Sequence, residues 1–87
     1  MAHTYTSHQI AQISTIRELL STGEAERMRK SAGILRSEVA RRIGCSQSTV
    51  GRWESGERVP RSDVCLVVAT AYGELASLAV PVGVGAR

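Results

Sequence analysis

Eighty-seven residues make one small domain, near the size at which a single core gives only a slim margin of stability, and a large enclosed active site is excluded. Aromatic residues are 3% and Phe is absent, so the core is expected from Ile, Leu, Val, Ala and Met, with Trp53 as its bulkiest piece. The net charge of +3 is unevenly placed: nine basic residues between Arg27 and Arg61 face only Glu38, Glu54 and Glu57, and the rest of the chain is acidic. A basic middle between acidic flanks is the electrostatic footprint of a polyanion-binding face.

Cys45 and Cys65 stand far apart, with no CxxC pair and no nearby His, so they are read as small buried hydrophobes and neither a metal nor another cofactor is expected. No stretch has the pattern of a signal peptide or the length of a membrane span, which predicts a protein of the reducing cytoplasm without a membrane partner.

The residues up to Thr6 are polar and expected to fray, with Ser7 capping the first helix. From His8 to about Ser21, Ile10, Ile13, Ile16, Leu19 and Leu20 recur at spacings of three and four, leaving Gln9, Gln12, Arg17 and Glu18 outward. This is an amphipathic N-terminal helix expected to pack on its own domain with some contribution to a dimer, for which it and the apolar last helix are the two candidate interfaces. Ser21-Thr22-Gly23 breaks the pattern, and Thr22 followed by Glu24 and Glu26 starts a second helix with carboxylates near its positive end. Its inner stripe is Ala25, Met28 and Ala32, and Gly33 ends it.

A short third helix runs from Arg36 to Ile43, with Val39, Ala40 and Ile43 inward, although Leu35 is a poor cap for it. Gly44 supplies a turn, and Ser46 caps a fourth helix in which Val50 and Trp53 face inward while Gln47, Ser48, Gly51 and Arg52 face out. That outer face holds hydrogen-bond donors and no carboxylate, a combination suited to base edges and phosphate oxygens. Gly51 in mid-helix costs about 0.5 to 1 kcal/mol relative to Ala, with either close approach to DNA or a plain spacer as its explanation. Residues 55 to 61 form a loop, and Ser62, with Asp63 in the first turn, caps a last helix carrying Val64, Val67, Val68, Ala71, Tyr72 and Leu75, interrupted at Gly73. The tail, 80 to 87, has no period and is expected to be flexible.

From Arg29 to Pro60 the chain resembles the phage lambda-type repressor and Cro helix-turn-helix family, with its bacterial relatives of the xenobiotic-response-element type. The resemblance is carried by the Arg29 to Gly33 spacing, Glu38-Val39-Ala40, Ile43-Gly44, Ser46, Thr49-Val50, Arg52-Trp53-Glu54, Gly56 and Pro60. It implies an all-α, compact bundle of about five helices with a helix-turn-helix at 36–54, preceded by the N-terminal helix, all within a single domain spanning 1–87. Departures are Leu35 and Arg36 where relatives often carry a Ser or Thr cap and then Gln, and the Gly at 51.

Carried over by position, the resemblance implies base contacts from Gln47, Ser48 and Arg52, and backbone contacts from Arg36, Ser46, Ser55, Arg58 and Arg61. It also implies a structural ion pair between Arg29 and Glu54. The function so implied is a sequence-specific, double-stranded DNA-binding transcriptional regulator of the Cro or repressor type, acting as a symmetric homodimer in a bacterial or phage-infected cytoplasm. Two alternatives are an antitoxin of a toxin–antitoxin pair and a protein-interaction module docking on RNA polymerase or another regulator. No catalytic set can be assembled, so an enzyme is not expected.

Overall fold

The computed structural model describes residues 4–78, and the expected tail at 80–87 lies outside the described residues. Five helices and no strand are present among them: α1 (Ser7–Ser21), α2 (Glu24–Ser31), α3 (Arg36–Ile43), α4 (Gln47–Ser55) and α5 (Ser62–Leu78). The all-α bundle of five helices with a central helix-turn-helix is therefore the architecture of this chain. Helix α5 packs against α1, α2 and α3, while α1 also rests on α2 and α4, and α3 pairs with α4.

Helix α1 starts one residue earlier than Ser7 as a cap would place it. Thr6 is the cap: its hydroxyl accepts from the Gln9 N–H at 3.1 Å and the Gln9 side chain accepts from the Thr6 N–H at 2.9 Å. Thr6 with Gln three residues on forms a reciprocal capping box, which Ser7, followed by Ile10, does not offer. Ile13, Ile16 and Leu20 enter the core, but Ile10 is 56% exposed. It lies roughly 90° of helix rotation from the centre of the buried stripe.

Arg17, expected to face outward, instead reaches the start of α5. Its Nη2 donates to the Pro60 carbonyl at 3.2 Å and to Ser62 Oγ at 3.3 Å. Ser62 thus serves Arg17 and is itself the first helical residue; the Arg61 carbonyl accepts the first α5 bond, from the Cys65 N–H at 2.7 Å. The helix continues through Gly73 without the expected break. Cys65, Val68, Ala71 and Tyr72 are buried, whereas Val67, expected on the same stripe, is 47% exposed because it is turned off the line those residues define. Leu75 lies outside the described side chains.

The core is Ile13, Ile16, Leu20, Ala25, Val39, Ala40, Val50, Trp53, Cys65, Val68, Ala71 and Tyr72. Small residues at 25 and 40 suit close approach of helix axes, and Trp53 is the largest buried side chain of α4. Cys45 and Cys65 are free thiols, the first half-buried and the second buried, and burial pushes both above their ordinary pKa. Ile16→Ala, which opens a cavity in this core, should lower stability in urea by about 2 to 5 kcal/mol. Ile10→Ala, on the open side of the same helix, should change it by less than about 0.5 kcal/mol.

Candidate nucleic-acid interface

The turn between α3 and α4 fixes the relation of the two helices. Gly44 adopts φ 92°, a left-handed conformation that side-chain-bearing residues avoid, and its N–H closes on the Ala40 carbonyl at 2.7 Å. The Cys45 N–H shares that carbonyl at 3.0 Å. Ser46 then caps α4, its Oγ accepting from the Thr49 N–H at 3.1 Å and meeting Thr49 Oγ1 at 2.8 Å. At the head of α3, the Leu35 side chain offers no acceptor, and Glu38 makes only the reciprocal half of a capping box: its Oε1 accepts from the Leu35 N–H at 2.7 Å. The third helical position thus holds the cap residue's own N–H, with the carboxylate at the positive end of the helix.

Helix α4 is divided sharply. Val50, Trp53 and Glu54 are buried, while Gln47, Ser48, Arg52 and Ser55 are exposed and Gly51 is half-buried. Gln47, Ser48 and Arg52 make no side-chain hydrogen bond or ion pair among the described residues, so their donors face outward unoccupied. Ser55 is less free, its Oγ donating to the Arg52 carbonyl at 3.1 Å and accepting from the Glu57 N–H at 3.4 Å. Arg58 is exposed, and its backbone N–H holds the loop to the Arg52 carbonyl at 3.1 Å. The side chain of Arg61 is 84% exposed, with Nε 4.0 Å from Asp63. Among the exposed arginines of this region, Arg41, Arg52 and Arg58 form no ion pair among the described residues. Arg42 pairs with Glu74 across α3 and α5.

Beneath this face lies a buried carboxylate with four donors. Arg29 grips Glu54 with both edges of its guanidinium, Nε to Oε2 at 2.7 Å and Nη2 to Oε1 at 2.9 Å, and its Nη1 donates to the Ile34 carbonyl at 2.7 Å. The Tyr72 hydroxyl donates to Glu54 Oε2 at 2.6 Å, and Arg36 Nε donates to Oε1 at 3.3 Å. The Glu54 side chain is 0% exposed and that of Arg29 6%.

Burial alone would push the Glu54 carboxyl upward. Its donors and the adjacent guanidinium outweigh that and hold it below the usual carboxylate range. The hydrogen bond to Glu54 raises Arg29, and burial together with the carboxylate drives the Tyr72 phenol well above its ordinary value.

Arg36 therefore differs from the free phosphate-seeking cation expected of it. Besides Glu54, its Nη2 reaches Glu26 Oε2 at 3.3 Å, and the side chain remains 42% exposed. The physical reason is the depth of the Glu54 carboxylate, whose charge attracts a second guanidinium from the next helix. Tyr72 was missed as a polar partner because periodicity placed it correctly on the buried stripe but said nothing of its hydroxyl. The available signal was that a buried tyrosine oxygen needs a hydrogen-bond partner.

Two helices at a fixed angle, the second presenting unoccupied donors, define a helix-turn-helix DNA-binding domain. The helix-turn-helix family model matches residues 26–76, more than half of the chain, and the protein belongs to that family, in its Cro/C1-type form. Neither the curated proteins nor the solved structures yielded a match. Members of the family are DNA-binding regulatory domains, and this chain is a DNA-binding helix-turn-helix regulator. No helix among the described residues is long and apolar enough to cross a membrane.

Because Glu54 titrates below its unfolded value, its contribution to stability is present above the ordinary carboxylate pKa of about 4.3 and is lost as pH falls through the lower folded value. Arg29→Ala, leaving a buried charge without its main partner, should cost about 3 to 5 kcal/mol at pH 7. Glu54→Gln should be destabilised at pH 7, and its difference from wild type should shrink progressively as pH falls below about 4. Thermal unfolding followed by circular dichroism across that pH range checks both.

Proposed function

We propose that this protein is a sequence-specific transcriptional regulator of the Cro or repressor type that reads the major groove with α4. The observation that carries the reading is the outer row of Gln47, Ser48 and Arg52, exposed, free of intramolecular partners and free of carboxylates, on the second helix of the helix-turn-helix. Gln can pair with adenine and Arg with the O6 and N7 acceptors of guanine, each good contact discriminating by about 1 to 3 kcal/mol. The capped N-terminus of α4 carries partial positive charge that favours a nearby phosphate. Ser46 at that terminus, Ser55 at the far end, and Arg58 and Arg61 in the following loop flank the row and serve the sugar–phosphate backbone.

A single unit of this size covers little DNA, and a symmetric homodimer on two half-sites about 34 Å apart is the arrangement we assign. Exposed apolar side chains at Ile10 on α1 and Val67 on α5 supply material for such a contact.

Selection of bound duplexes from a random pool, followed by affinity measured against salt, tests the reading. An enriched, palindromic motif and a steep loss of affinity with salt are expected. Arg52→Ala should relax preference at one base position, and Arg58→Ala should weaken all sequences alike and flatten the salt slope by about one unit. Absence of any enriched motif would leave a protein-docking module as the better reading.

A further inference from the structure

Resting on the DNA-reading assignment above, we propose that Arg36 is a specificity-determining residue that reaches the operator across a notch left by Gly51. On the helical wheel of α4, Gly51 lies one turn after Gln47 and three residues after Ser48, in the middle of the outward row. It is the one position in that row without a side chain. Its backbone needs no glycine, since its φ is not positive.

The space above Gly51 is filled from the neighbouring helix. A Cβ built there would stand 3.6 Å from Arg36 Nη1, 3.8 Å from Cζ and 3.9 Å from Cδ. The guanidinium of Arg36 thus lies along the recognition helix where residue 51 would otherwise project.

The orientation of that guanidinium is set from behind. Nε is held by Glu54 at 3.3 Å and Nη2 by Glu26 at 3.3 Å, while Nη1, the nitrogen nearest Gly51, makes no hydrogen bond among the described residues. Two carboxylates fix the plane of the fork, and both N–H donors of Nη1, with the second N–H of Nη2, are left unengaged beside the reading row. A guanine presents two acceptors in the major groove, and donors pre-oriented by buried and half-buried carboxylates lose little freedom on meeting them. Arg36 then contributes to sequence preference, beyond the phosphate contact its position implied. Gly51 is the complementary half of the device, absent as a side chain so that another residue's can take its place.

Paired substitutions separate this from a structural role. Arg36→Lys keeps the charge and loses the planar fork, and Gly51→Gln places a side chain where the fork lies. Each is carried through random-pool selection and competition against single-base operator variants, beside wild type. Melting temperatures are measured in parallel, and Gly51→Ala, whose Cβ meets Arg36 only at ordinary contact distance, serves as a folded control.

Arg36→Lys and Gly51→Gln should each reduce discrimination at the same base pair by about fivefold or more, and the double variant should reduce it no further. Gly51→Ala should keep the wild-type preference. If wild type enriches a motif but the two variants weaken every sequence equally, or alter different positions, the notch assignment is overturned and the regulator reading stands. If wild type enriches none, both fall together.

Discussion

The fold depends on one carboxylate taken out of water. Glu54 sits at the inner end of the recognition helix, and its two oxygens accept from Arg29 on α2, Arg36 on α3 and Tyr72 on α5. A buried ion of this kind is expensive to desolvate, and an apolar replacement of equal volume is often no less stable. What the ion adds is direction. Apolar packing of Val50 and Trp53 holds α4 against the bundle yet leaves room for it to slide or roll, whereas a two-toothed guanidinium and a phenol meet the carboxylate in few orientations. Glu54, the buried polar residue of α4, thus sets where the exposed side chains of that helix stand.

Charge follows the same division between interior and face. Glu26, Glu38, Glu54 and Glu74 are each engaged, by Arg29, Arg36 and Lys30, by the Leu35 N–H, by the buried cluster and by Arg42. Glu26, Glu54 and Glu74 thus have their charge answered by cations within the protein, which leaves Glu38 and Glu57 as the carboxylates of this half without a cationic partner among the described residues. Arg41, Arg52 and Arg58 have none of these partners, so the potential that reaches solvent from this side is positive although the net charge is small. Local pairing, more than total charge, makes the face.

Most of the architecture was legible because helix signals in this chain are strong and close together. Gly33 and Gly44 end their helices with positive φ where the sequence places them, and Ser46 caps α4 with its own hydroxyl. The inward sets Val39, Ala40 and Ile43, and Val50 and Trp53, needed only a period of 3.6. Where the reading missed, a side chain was long enough to leave the face its position suggests. Spacing alone turns Arg17 to solvent and the resemblance turns Arg36 to a phosphate, yet each bends back to an oxygen supplied by a segment distant in sequence. Ile10 and Val67 failed in the opposite direction, since periodicity cannot say how wide a stripe the neighbours cover. Gly51 was opaque for a related reason: its role lies in another helix's side chain.

The carbonyl of Pro60 accepts from Arg17 Nη2 at 3.2 Å and from the Cys65 thiol at 3.3 Å, so two helices hold one backbone atom of the loop that joins α4 to α5. Pro60 lies between Arg58 and Arg61 in sequence, so the loop that carries both arginines is tied to the first and last helices of the bundle. One of those ties comes from α1, which lies before the segment at 26–76 shared with the family. The fold that positions this loop therefore extends beyond the family signature: α1 also places Ile13, Ile16 and Leu20 in the core, so trimming the chain to 26–76 would remove that packing together with the hold on Pro60.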